Sequence, residues 1–198
     1  ARERTQILFN YANKVSGIVV GTGDLSELAL GWCTFNADHM ASYNVNASVP
    51  KTMMAYLVRW YANHRASPEL AAVLKDVLDT PISPELIPPE EDEISQHTES
   101  IVGPYELHDF FLFHFLRLGG SPSKIYALAV RSFAGAYSEA DVKHWLGHFF
   151  RRFFSQQFKR TTLPPGPKVG SVSLSPRGDW RMPDEASAEQ ILAEIDQL

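Results

Sequence analysis

Along most of this 198-residue chain, apolar positions recur at the three- and four-residue spacing of a helix face. Residues 16–23, SGIVVGTG, depart from that period. There Ile18, Val19 and Val20 are consecutive and β-branched, the pattern of a short strand buried on both faces. Helix starts follow at Asp24 before LSELALGW, at Ser48 before VPKTMMAYLVRWYANH, and at Ser67-Pro68 before ELAAVLKDVL. A short oxygen-bearing side chain at such a place accepts from free N–H groups of the first turn, and proline fits just inside it. Residues 80–96, TPISPELIPPEEDEISQ, concentrate proline and acid and read as an extended surface loop. PYELHDFFLFHFLRLGG is apolar nearly all round, which predicts a central helix ended by Gly119-Gly120. Ser121-Pro122 starts another helix. Ser138 and Asp141 form a capping-box pattern ahead of a long aromatic helix running to Arg160. Residues 163–180, LPPGPKVGSVSLSPRGDW, cannot form a regular helix, so packing or a ligand must shape them. A short helix, ASAEQILAEIDQL, closes the chain, and no internal repeat is visible.

Composition narrows the class. A chain of this length suits one domain, and 44% apolar against 21% charged residues excludes wholesale disorder. No stretch approaches the ~20 consecutive apolar residues of a membrane span. ARERTQ lacks the apolar run of a secretion signal, so a cytoplasmic protein is expected. Cys33 is the sole cysteine, which rules out an internal disulfide and a cysteine-based zinc site. The net charge of −5 is unevenly placed. Residues 151–181 carry seven cations against Asp179 alone, a local +6 that leaves −11 elsewhere and points to a localised anionic ligand rather than long nucleic acid.

The stretch VVGTGDLSELALGW, Val19 to Trp32, holds the sharpest candidate chemistry, and spacing leaves two readings of it open. The carboxyl end of a strand followed by a helix N-terminus is where α/β sheets bind nucleotides. Free N–H groups around Gly21 to Leu25 would then face an anion, with Thr22 adding a hydroxyl and Glu27 holding magnesium against phosphate. In the alternative, Asp24 is only the N-cap and Glu27 only an acid at the positive helix end. His144 and His148 stand four apart without the glutamate of a metalloprotease helix or an evident third ligand, so they read as structural, as do His108 and His114. Cys33 reads as a small buried hydrophobe. FFRRFFSQQFKR has the texture of a single-strand nucleic-acid surface, but Phe149, Phe150, Phe153, Phe154 and Phe158 fit one packed helix face better. Lys159 and Arg160 complement a helix C-terminus there without a ligand.

Taken together, GTGDLSELALGWCTFNADHMASYNVNASVPKT, VGPYELHDFFLFHFLR, FFRRFFSQQFKR and GPKVGSVSLSPRGDWRMP closely resemble the synthetase domain of glutamine-dependent NAD+ synthetases. The resemblance is collinear over almost the whole chain. It implies an N-type ATP pyrophosphatase: an α/β, Rossmann-like fold of the adenine nucleotide alpha hydrolase-like type in the parent, with this chain mainly α and few strands. The implied reaction adenylates the nicotinate carboxylate of deamido-NAD with ATP and Mg2+, and ammonia from a glutaminase domain then displaces AMP. Carried over by position, Thr22 and Lys51 resemble ATP contacts. Glu27 resembles the catalytic acid near magnesium and deamido-NAD. Trp32, Cys33, Thr34 and Phe35 resemble the stretch holding the pyridine end, and Lys159 a contact to the dinucleotide. Arg177 and Arg181 are candidates for phosphate.

The chain departs from the family in two ways. It contains no S-G-G-x-D-S phosphate loop and no trace of the glutaminase domain. Residues 1–185 therefore resemble the latter part of a synthetase domain and residues 186–198 its C-terminal helix, and the piece alone is expected to be inactive. A homo-oligomer is expected, without nucleic-acid or membrane partners. The alternatives are another ATP-dependent amidotransferase, a non-catalytic oligomerisation fragment suggested by the missing loop and many aromatics, or a nucleic-acid binder suggested only by the +6 segment.

Overall fold

A computed structural model describes residues 1–80 and 101–198. The proline-rich, acidic loop read at residues 80–96 lies, beyond Thr80, outside the described residues. The chain opens on helix α1 (Arg2–Lys14), which carried no start signal in the sequence; it has no side-chain cap and buries only Ala12. Strand β1 (Val20–Gly21) leads into helix α2 (Leu25–Leu30), and strand β2 (Tyr43–Asn44) pairs with β1 in parallel, Val20 beside Tyr43 and Gly21 beside Asn44. A Cβ on Gly21 would lie 2.9 Å from the Ala41 Cβ, so glycine permits this close approach. The expected burial of this strand on both faces is corrected here: Ile18 is 65% exposed and Val20 54%. Ile18 and Val20 share one open face, whereas Asn44 of the paired strand is 1% exposed against the segment around Pro165.

Helices α3 (Lys51–His64) and α4 (Pro68–Asp79) pack on each other. As predicted, Ser67 caps α4, its Oγ accepting from Leu70 N–H at 3.3 Å with Pro68 in the first turn. The core lies between α5 (Tyr105–Leu116), α6 (Pro122–Ser132), α7 (Glu139–Ser155) and α9 (Glu189–Asp196), with the short α8 (Gln157–Arg160) after α7. Phe111, Ile125, Leu146, Phe149, Phe150 and Phe153 are fully enclosed there, with rings largely edge-to-face. Phe149, Phe150 and Phe153 are thus core, as the helical spacing predicts, and Phe154 is partly buried against it, but Phe158, expected on the same face, is 38% exposed. The capping box at Ser138 and Asp141 forms, and Gly119, at φ +60°, ends α5 near the expected place. The long helix predicted to Arg160 instead breaks at Gln156, where backbone N–H groups turn back to Arg152 and Phe154 carbonyls.

Residues 161–183 are irregular and take their shape from packing. Asn44 N–H donates to the Pro165 carbonyl at 2.8 Å, and Ser48 Oγ bridges the Pro167 carbonyl and the Val169 N–H. Val172, Leu174 and Trp180 dock on the core. Among the described residues no helix is long and apolar enough to cross a membrane.

His108 is buried inside this core, against Phe111, Trp145, His148 and Phe149. Its Nε2–H donates to the Val102 carbonyl, while its Nδ1 and the Nε2 of His148 are buried and meet no hydrogen-bond partner among the described residues. Burial pushes its pKa down to about 4. The folded protein thus refuses a proton that the unfolded chain takes up near pH 6.5, so stability present above that value drains away as pH falls toward 4. The expected loss is roughly 3 kcal/mol across that window. His108→Gln keeps a donor for Val102 but cannot titrate, so urea unfolding of this variant at a series of pH values should show that part of the slope removed. An unchanged slope would assign it elsewhere.

Candidate functional site

Helix α2 is six residues long, too short to hold itself, and its two ends are fixed by distant parts of the chain. At its start Asp24 is extended, and its Oδ1 accepts from Glu27 N–H at 2.9 Å. Glu27 Oε2 accepts in return from Asp24 N–H at 3.3 Å, completing a capping box. Into this box reaches Lys51, the first residue of α3, with Nζ 2.8 Å from Asp24 Oδ2 and 2.7 Å from Glu27 Oε1. Asp24 is shut away, its side chain 1% exposed, whereas the Glu27 carboxylate stays 25% exposed.

The electrostatics follow from burial. Loss of water raises the pKa of Asp24 despite the opposing pull of Lys51, and raises that of Glu27 with help from the Asp24 charge. Burial alone would lower the pKa of Lys51, but the two carboxylates together push it up. The capping and ligand readings of Glu27 are therefore compatible: one oxygen closes the helix start, and the other lies against an ammonium at a partly open edge. Thr22 is exposed on the loop just before it.

At the other end, Gly31 turns left-handed at φ +58° and the Trp32 N–H closes on the Glu27 carbonyl at 2.9 Å. Three cations from α7 and α8 meet the free carbonyls. Arg152 Nε donates to Leu30 at 2.8 Å, and Lys159 Nζ donates to Gly31 at 2.8 Å and Cys33 at 2.7 Å. Arg160 Nη1 reaches Leu28 and Ala29 at 3.3 and 3.0 Å. Arg160 is 1% exposed, and burial pushes its pKa down to about 10, so it stays charged at neutral pH. Lys159 and Arg160 thus serve a helix C-terminus, as anticipated, but that of α2 rather than their own.

The 32–35 stretch leaves this clamp half-buried. Arg152 lies over the Trp32 ring at 5.4 Å, and Phe35 packs on Phe158 at 5.3 Å. Burial pushes the Cys33 thiol up to about 11, so it remains a thiol. Arg177 Nη2 donates to the Leu163 carbonyl at 2.9 Å and Arg181 Nη2 to that of Arg177 at 3.0 Å; neither hydrogen-bonds to the Asp24–Lys51 cluster or to residues 32–35. The structure therefore joins Glu27 with Lys51 and, one helix length or ~9 Å away, Lys159 with the 32–35 stretch. Sequence reasoning missed Arg152, Ser26 and Asp109; only the spacing of basic residues along α7 hinted at the first. Among the described residues, no three His, Cys, Asp or Glu side chains cluster as a metal site.

The family model of NAD synthase matches residues 1–126. The chain belongs to this family. The glutamine-dependent NAD(+) synthetase of Mycobacterium tuberculosis is 49% identical over 213 residues, covering 98% of this chain and 31% of that protein. The protein of the same name from Synechocystis is 31% identical, over 92% of this chain and 28% of its own length. The chain thus spans about a third of the curated relatives it matches. The crystal structure of a glutamine-dependent NAD(+) synthetase from Cytophaga hutchinsonii superposes with a TM-score of 0.75 at 21% identity, over 100% of this chain and 29% of that one. The family fold, an α/β nucleotide-binding fold of which this chain is a mostly helical part, is therefore shared.

The clamp on α2 yields a stability prediction. A Cβ on Gly31 would lie 2.3 Å from the Gln156 Cβ, whereas one on Gly119, also left-handed, meets nothing within 4 Å. Gly119→Ala should cost about 1 kcal/mol and Gly31→Ala roughly 3 kcal/mol or more in urea unfolding. Equal losses would show that Gln156 yields freely.

Proposed function

We propose that the protein containing this chain makes NAD+ by ATP-dependent amidation of deamido-NAD, through an adenylated intermediate and with ammonia drawn from glutamine. The observation that carries this reading is the pairing of a half-open Glu27 with Lys51 at the strand-to-helix turn of a chain in the NAD synthase family. A carboxylate is a poor electrophile. Its oxygen attacks the α-phosphorus of ATP, pyrophosphate departs, and ammonia then adds to the activated carbonyl carbon as AMP leaves with the C–O electron pair.

The residues fit these tasks. Thr22 offers an exposed hydroxyl to phosphate, while the N–H groups of Asp24 and Leu25 already donate to Glu27 Oε2 and the Val49 carbonyl. Lys51 has an ammonium that can turn from Glu27 to a phosphate oxygen. Glu27 offers a carboxylate that is 25% exposed, whose Oε1 would be free for magnesium once Lys51 turns away; that ion is held by one or two carboxylates plus phosphate and water. When bound, magnesium offsets the triphosphate charge. Trp32, Cys33, Thr34 and Phe35 would take the pyridine end, with a flat ring facing aromatic side chains, and Lys159 would hold that stretch in shape while facing the dinucleotide. Arg177 and Arg181 would add cationic charge for phosphate. Homo-oligomerisation and a cytoplasmic setting belong to the same proposal, with apolar side chains exposed on α3 and α4, such as Tyr56, Leu57 and Val73, as contact surface.

The full-length protein given ATP, magnesium, deamido-NAD and either glutamine or ammonia should form NAD+, AMP and pyrophosphate. Adenylation of a different carboxylate and not of deamido-NAD would point to another amidotransferase. The 198-residue chain alone should give no NAD+, since it holds no S-G-G-x-D-S sequence. In the full-length protein Glu27→Gln preserves the capping box, because glutamine serves that position equally well, but should lower kcat roughly 100-fold. Lys159→Ala should raise KM for deamido-NAD roughly ten-fold while leaving KM for ATP nearly unchanged. Equal changes in both constants would misplace Lys159.

A further inference from the structure

Helix α3, whose first residue is Lys51, has Pro50 at its N-cap and no capping side chain of its own. Its first N–H groups are instead met from elsewhere. Lys51 N–H donates to Ser26 Oγ at 2.8 Å, and Thr52 N–H donates to Asp109 Oδ2 at 3.1 Å. Asp109, on α5, also accepts from Thr52 Oγ1 at 2.7 Å and, through Oδ1, from Ser26 Oγ–H. One carboxylate therefore ties together the starts of α2 and α3 from a third helix. Burial raises its pKa, and its Ser26 and Thr52 donors oppose that rise by favouring the charged form.

The consequence concerns Lys51. Its backbone is fixed by Ser26, whose hydroxyl is oriented by Asp109, and its side chain crosses from that anchored point to Asp24 and Glu27. A lysine has four rotatable bonds, so its ammonium stays between two carboxylates only if its starting point does not wander. We infer that Asp109, through Ser26 and Thr52, is a positioning residue that sets the Lys51 ammonium for ATP. This rests on the reading of Lys51 as an ATP contact.

A double-mutant cycle in the full-length protein separates this role from mere support of α3. Asp109→Asn keeps the shape but turns a donor toward the Ser26 hydroxyl, and should raise KM for ATP roughly ten-fold with little effect on KM for deamido-NAD. In a Lys51→Ala background the same change should add less than about two-fold, because the group it positions is gone. Ser26→Ala breaks the link between Asp109 and the Lys51 backbone, should act in the same direction as Asp109→Asn, and carries the cycle if that variant does not fold. An equal effect with and without Lys51 overturns the inference while leaving the Lys51 assignment in place. An unchanged KM for ATP in Lys51→Ala alone overturns that assignment, and the inference with it.

Discussion

An ammonium between two carboxylates that have lost most of their water holds the strand-to-helix turn of this protein together. Asp24 and Glu27 must lie close, because each caps the backbone of the other at the start of α2. Two buried like charges repel, and water does little to screen them there. Lys51 resolves the conflict with contacts of 2.8 and 2.7 Å to the two acids. Removing one partner from such a cluster is far more damaging than never having built it, since the charges left behind are unmatched. On the proposed function, a phosphate-bearing ligand that takes Lys51 frees a Glu27 oxygen for a cation.

This cluster works only because α2 cannot drift. Six residues make too few internal hydrogen bonds for an independent helix, so its rigidity comes from outside. Asp109 and Ser26 fasten the start, and Arg152, Lys159 and Arg160 fasten the finish through the carbonyls of residues 28–33. The hydrogen bonds of the buried Arg160 go to carbonyl and amide oxygens, so its charge meets the peptide dipoles at the end of α2 as well as the Asp184 carboxylate, with which it makes no hydrogen bond. The same cations deliver the 32–35 stretch at a fixed angle, past the left-handed Gly31.

What the sequence made legible was local. The N-cap at Asp24, the capping box at Ser138, the Ser67-Pro68 start and the glycine stop after α5 depend on residues a few positions apart, and their spacing announces them. The core aromatics of α7 were visible for the same reason. The strand was misjudged because continuous β-branched residues indicate two covered faces, and among the described residues nothing covers Ile18 or Val20. Helix α1 was invisible because it has almost no buried face, Ala12 being its one buried residue. The contacts of Asp109 with Ser26 and of Arg160 with Leu28 join residues more than eighty positions apart, and no periodicity reports such pairs. Family resemblance supplied Glu27, Lys51 and Lys159, but not the partners that hold them.

A crystal structure of the full-length protein with magnesium, a non-hydrolysable ATP analogue and deamido-NAD tests the central role of the Asp24–Lys51–Glu27 cluster most directly. The expected result places a Glu27 oxygen among the metal ligands, with the Lys51 ammonium turned to a phosphate oxygen and the pyridine ring against residues 32–35. A nucleotide bound elsewhere, with Lys51 still locked between both carboxylates and no phosphate at the end of β1, would contradict it.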